Sequence, residues 1–136
     1  MTMNPLRPGF TRELSKLPIG LLFLASGVGH FAYTDTYLRM MPPELPWHRE
    51  LVLISGAVEI TLAVLFFSPR HERLAAWGLI ATLAAIFPAN LHMYRTAGTP
   101  EAVLPGVTPF WALLRLPFQA IFMAWIYQYT RRLRPA

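Results

Sequence analysis

The chain has 136 residues, of which 54% are hydrophobic and only 14% charged, with a net charge of +5 and no cysteine. Soluble domains are about a quarter charged, so this composition belongs to a membrane protein, and the mean hydropathy of +0.39 agrees. The absence of thiols excludes disulfides, thiolate nucleophiles and thiolate metal sites. The arginines gather at the ends of apolar runs rather than along an exposed stripe, which excludes nucleic acid as a partner.

A bilayer core of about 30 Å calls for about 20 apolar helical residues, and four segments qualify. The first covers approximately residues 17–33, LPIGLLFLASGVGHFAY, behind a basic leader with Arg7, Arg12 and Lys16. Its apolar run is long for a cleaved signal, so a retained helix is expected. His30 falls near the far end of this span, with Ser26 and Gly27 about one turn deeper on the same face. The connection 34–50 contains MMPPELPWH, in which Pro42, Pro43 and Pro46 forbid a regular helix and Trp47 suits the headgroup level.

The second span, approximately 51–68, contains ISGAVEITLAVLFF, where Glu59 is the one carboxylate among side chains suited to hydrocarbon. At 1.5 Å per residue it lies roughly 12 Å below the start of its helix, with Ser55 and Gly56 on its face. The third span, approximately 74–94, closes on FPANLHM, so Asn90 and His92 occupy its last turns. A breaker-rich connection, TAGTPEAVLPGVTP, follows. For each of the two connections, folding back over the mouth of the bundle and lying as a plain surface loop both stay open. The fourth span, approximately 109–129, places Trp111, Arg115 and Gln119 at successive four-residue steps.

Unbroken apolar runs without alternation point to helices rather than barrel strands. The expected fold is all-α: one integral membrane four-helix bundle over residues 1–136. One set of ends carries Arg7, Arg12, Lys16, Arg70, Arg73, Arg131, Arg132 and Arg134, and the other only Arg39, Arg49 and Arg95. By the positive-inside rule both termini are cytoplasmic, in a multi-pass protein of the inner (plasma) membrane. Its first partner is the lipid bilayer. The small residues Ala75, Ala76, Gly78 and Ala85 of the third span offer a face for a second copy, as in a homodimer.

The intramembrane polar residues all fall in the outer half of the bilayer, above a nearly dry inner half. A charge at mid-membrane costs at least about 2.5 kcal/mol on insertion scales and seeks a partner. Arg115, the only basic residue within a span, is therefore the expected ion-pair partner of Glu59. The candidate ligand-binding set is His30, Glu59, Asn90, His92, Arg115, Gln119 and Trp111, with Phe87 and Phe118 as further walls. Against this stand plainer readings. The ion pair serves to fix helix register; Asn90 and Gln119 satisfy the carbonyls of Ala84 and Leu113, freed by Pro88 and Pro117; Ser26–Gly27 and Ser55–Gly56 permit close helix contact. Two imidazoles and a carboxylate suffice for an open metal site, but no His-x-x-x-His spacing supports one, and no metal is expected. No catalytic residue is assigned.

The pieces GVGHF (Gly27–Phe31), PPELP in the first connection, SGAVE (Ser55–Glu59), the stretch Arg73–Met93 with its FPAN, and RLPFQ (Arg115–Gln119) together resemble the DoxX-like family of small four-helix membrane proteins. The likeness covers nearly the whole chain after the first dozen residues. That family takes its name from a subunit of an archaeal thiosulfate:quinone oxidoreductase. Related four-helix proteins include a maturation factor for methylamine dehydrogenase and an animal chaperone of acetylcholine receptors. The resemblance implies the fold and leaves two roles. In one, the pocket binds a lipophilic molecule, with a quinone as the suggested cofactor, in a subunit of a membrane redox system. In the other, the chain is a non-enzymatic accessory or chaperone-like protein for another membrane protein, its partner. Transport is less favoured, because a dry inner half leaves no continuous polar path through one subunit.

Overall fold

The computed structural model describes residues 8–131. Arg7, Arg132 and Arg134, which enter the orientation argument, lie outside the described residues. Within them the chain is all-helical, with five α-helices and a closing 3₁₀ turn and no strand. These are α1 (Pro8–Ala32), α2 (Thr34–Met40), α3 (His48–Phe66), α4 (Glu72–Thr96), α5 (Pro109–Tyr127) and the turn Gln128–Thr130.

The four predicted helical segments correspond to α1, α3, α4 and α5, with shifted ends. α1 begins nine residues before the expected 17, because TRELSK is built of helix formers and its charges are tied to α4. α5 starts at Pro109, whose missing N–H is an unpaired helix donor in any case, and Thr108 accepts a hydrogen bond from the Trp111 amide at 3.4 Å. Three segments, Gly9–Ala32, Glu72–Thr96 and Pro109–Thr130, are long and apolar enough to cross a membrane. At 24, 25 and 22 residues they reach about 33 Å or more. α3 stands apart, since Arg49, Glu50 and Glu59 all fall within its 19 residues. Large apolar side chains such as Leu21, Leu22, Val64, Leu74, Phe118 and Ile121 face outward, more apolar surface than water tolerates and what a lipid-facing helix shows.

α1 packs chiefly on α3, α3 on α4, and α4 on α5. The α1–α3 contact depends on two glycines. A Cβ on Gly56 would stand 2.5 Å from the Cβ of His30, and one on Gly27 would stand 2.9 Å from the Gly56 carbonyl oxygen. The backbones therefore approach as closely as small-residue helix pairs do, as expected for Ser26–Gly27 and Ser55–Gly56.

The half of the bundle nearest the chain ends is filled by Ile19, Phe23, Ala63, Phe66, Ala75, Ala76, Leu79, Leu83, Ile126 and Tyr129. Phe23 of α1 meets Phe122 of α5 with ring centroids 6.0 Å apart. This is the dry half that the apolar runs predict. Ala75 and Ala76 are fully buried in it and Gly78 faces Leu62, so three of the four small residues expected to meet a second copy pack internally instead.

At the edge of that core lies a polar cluster with no counterpart in the sequence reading. Lys16 is only 1% exposed, and its ammonium pairs with Glu72 and, at 3.2 Å, with Glu13. Arg12 pairs with the other oxygen of Glu72, and its guanidinium lies 4.8 Å from the centre of the Tyr129 ring. The Tyr129 hydroxyl meets that of Ser15 and donates to the Arg12 carbonyl at 3.2 Å. These contacts fasten the start of α1 to the start of α4 and to the closing turn. Arg12 and Lys16, read as topology signals, are structural ties as well.

Candidate ligand-binding site

At the opposite end, where α2 lies, the helices form a half-open cavity of about 670 Å³. Its walls come from α1 (Ser26, His30), α3 (Val52, Ser55, Val58, Glu59), α4 (Thr82, Ala85, Ile86, Ala89, Asn90) and Arg115 of α5. Tyr37 and Met40 of α2, followed by Met41, Pro42 and Leu45, form the cover. A polar pocket in this half is what the positions of the intramembrane polar residues predict. A second depression of about 480 Å³, folded by residues 98–109, is lined by no charged side chain. Only the first concentrates groups able to do chemistry.

The cover depends on local backbone breaks. Tyr33 leaves helical geometry at φ −126° and ψ 42°, which ends α1 and lets the seven-residue α2 turn back over α3 and α4. Tyr37 then donates to the Ser26 carbonyl at 3.3 Å and lays its ring 4.0 Å from that of His30. Gly29 makes room for it, since a Cβ there would meet the phenol oxygen at 2.9 Å. The prolines after Met41 carry the chain to Trp47, which adopts a left-handed φ of 52° just before α3 and is exposed. Of the two open readings for connection 34–50, the structure selects the fold-back. Tyr37 is a site residue that the sequence leaves unmarked, because nothing in its local sequence signals that this connection doubles over the pocket.

Glu59 is 2% exposed, and its partner is not the expected Arg115. Its Oε1 lies 3.5 Å from Nε2 of His30, whose Nδ1 lies 2.7 Å from the Val52 carbonyl oxygen. The second carboxylate oxygen, Oε2, is buried with no hydrogen-bond partner. Arg115 lines the same cavity but is exposed and forms no ion pair among the described residues. The reason is packing order: Glu59 sits on α3, whose main neighbours are α1 and α4, whereas Arg115 is on α5.

The rest of the predicted set divides. Asn90 lines the cavity and donates to Gln119 at 2.9 Å. Gln119 is buried behind the wall and donates to the Leu83 carbonyl, one residue from the carbonyl that Pro88 frees, so it supports the wall rather than the ligand. His92 is half-buried and outside the cavity. Trp111 is 62% exposed and stacks edge-on against Phe110, and Phe87 and Phe118 also face away from the cavity. Their place as walls falls to Tyr37, Met40 and Met41. Among the described residues no three His, Asp or Glu side chains converge as a metal site would require.

No curated protein and no solved structure matches the chain. Residues 19–130, which hold every wall of the cavity, match a family described only as a domain of unknown function, DUF8561, and the chain belongs to that family.

Proposed function

We propose that this protein is a four-helix integral membrane protein that binds a lipophilic small molecule in the cavity beneath α2. The observation that carries the proposal is Glu59, a buried carboxylate with one oxygen unpartnered, in the wall of a cavity of about 670 Å³. Sites for small ligands occupy about 300–1,000 Å³ and combine apolar walls with a few convergent polar groups. Here those groups are Glu59, His30, Asn90 and Arg115, set among Val52, Val58, Ile86, Met40 and Leu45. An orphaned acceptor in such a place is costly unless something fills it.

In this reading α3 is the fourth span, with its one deep charge neutralised by His30. The basic residues described at one end, Arg12, Lys16, Arg70, Arg73 and Arg131, then set the termini in the cytoplasm and the cavity on the outer side of the inner membrane. The resemblance to DoxX-like proteins adds a quinone as the ligand to try first, and a membrane redox system as the setting. The chain has no thiols and no motif for an electron carrier of its own, so electrons would come from a partner. The test is gentle extraction from native membranes followed by native mass spectrometry. A stoichiometric lipophilic molecule, lost in Glu59→Ala and Arg115→Ala variants that still fold, is expected. An empty, folded protein that instead brings down a stoichiometric protein partner would replace this reading with the accessory role.

A further inference from the structure

We infer that the molecule bound in this cavity presents a hydrogen-bond donor, a hydroxyl or N–H group, to Glu59, and that a molecule carrying only carbonyl or ether oxygens is disfavoured there. The inference rests on the ligand-binding reading above and specifies its chemistry.

A backbone carbonyl only accepts, so the 2.7 Å contact with Val52 requires the hydrogen of the His30 ring to be on Nδ1. If that were the only hydrogen, the Nε2 lone pair would face an ionised carboxylate oxygen at 3.5 Å in a buried site, an arrangement that repels. A carboxyl hydrogen on Oε2 would leave the Nε2 and Oε1 lone pairs opposed in the same way, so one further proton lies between the two groups. It sits either on Nε2, giving imidazolium and carboxylate, or on Oε1, giving neutral imidazole and carboxylic acid. Both arrangements are neutral as a pair, and in both Oε2 offers lone pairs and no hydrogen. That oxygen is buried and lacks a partner.

The neighbouring hydroxyls do not reach it. Tyr37 donates to the Ser26 carbonyl and Thr82 to that of Gly78. The Asn90 amide donates to Gln119, and the Ser26 and Ser55 hydroxyls and the Arg115 guanidinium, which line the same cavity, make no hydrogen bond to Oε2. A ligand hydroxyl fills the gap, whereas a dione or an ether sets lone pair against lone pair. Among quinone-type molecules this favours the dihydroxy form over the dione.

The test uses the full chain in mild detergent and two probes that differ by one donor, 4-octylphenol and its methyl ether, 4-octylanisole. Saturable binding is followed by tryptophan fluorescence. The phenol is expected to bind about tenfold or more tightly, the size of satisfying a buried acceptor that is otherwise unpaired. Glu59→Met should bring the two probes within about twofold of each other. As a check that needs no variant, binding of the phenol to the wild-type chain should shift the carboxyl infrared bands, and the ether should not. Equal affinities in the wild type would overturn the donor requirement while leaving the binding site standing. No saturable binding of either probe would overturn the site itself, and the donor requirement with it.

Discussion

Oε1 of Glu59 lies 3.5 Å from Nε2 of His30, and the same imidazole is held from its other side by the Val52 carbonyl at 2.7 Å. The carboxylate, the ring and the α3 backbone thus form one unit. Removing either side chain leaves the other buried without its counterpart. A double-mutant cycle between Glu59→Gln and His30→Gln should show coupling of about 1–3 kcal/mol, whereas Glu59→Gln and Arg115→Gln should add within about 0.5 kcal/mol. Unfolding in mild detergent measures both. A large Glu59–Arg115 coupling would restore the ion pair that the sequence suggests.

Gly56 should tolerate nothing larger. Its would-be Cβ meets the Cβ of His30 at 2.5 Å and the Gly27 carbonyl oxygen at 3.0 Å, neither of which is the free end of a flexible side chain. Gly56→Ala is expected to destabilise by about 1–3 kcal/mol, as overpacked cores do. Gly9→Ala, with nothing within 4 Å, should be neutral or slightly stabilising through helix propensity. Thermal unfolding of the two variants side by side decides the point.

At the other end of the bundle, loss of the anion should cost more than loss of a cation. Glu72 is shared by Arg12 and Lys16, so Lys16→Met leaves the carboxylate still paired and replaces a buried ammonium with apolar volume. Glu72→Ala leaves the 1% exposed Lys16 with only Glu13, an exposed partner at 3.2 Å. The expected loss is about 3 kcal/mol for Glu72→Ala and under about 1.5 kcal/mol for Lys16→Met. Losses under about 1 kcal/mol for both variants would mean that the cluster contributes no more than a surface network does.

Gln119 connects α5 to α4 by donating to the Leu83 carbonyl and accepting from Asn90. Gln119→Leu should cost about 1–3 kcal/mol, because a buried carbonyl and an amide N–H lose their partner together. If Gln119 supports the wall without touching the ligand, its loss should lower stability more than probe affinity, and the ratio of the two effects is the readout.

Topology has an inexpensive check, since the chain contains no cysteine. Trp47→Cys and Arg70→Cys each create a unique thiol, in the connection before α3 and in the turn before α4 respectively. In intact cells a membrane-impermeant maleimide should label the first and spare the second. The reverse pattern would invert the proposed orientation.

Much of the architecture was decided locally. Apolar runs of helical length, punctuated by proline and glycine, specify four long helices, and these appear with ends moved by at most three residues apart from the start of α1, which comes nine residues earlier. Counting 1.5 Å per residue from those ends was enough to put His30, Glu59, Asn90 and Arg115 at one depth and a dry core at the other. Depth is a property of one helix at a time, so it is legible in one sequence. Which side chain Glu59 touches is not, because that depends on the order in which helices pack and on their rotation. Only the assembled bundle, with α3 pressed against α1 through Gly27 and Gly56, brings Glu59 to His30 and leaves Arg115 across the cavity. The same holds for Tyr37, brought over the pocket by a break at Tyr33, and for Lys16 and Glu72, which are 56 residues apart and meet only when α1 and α4 begin at the same level.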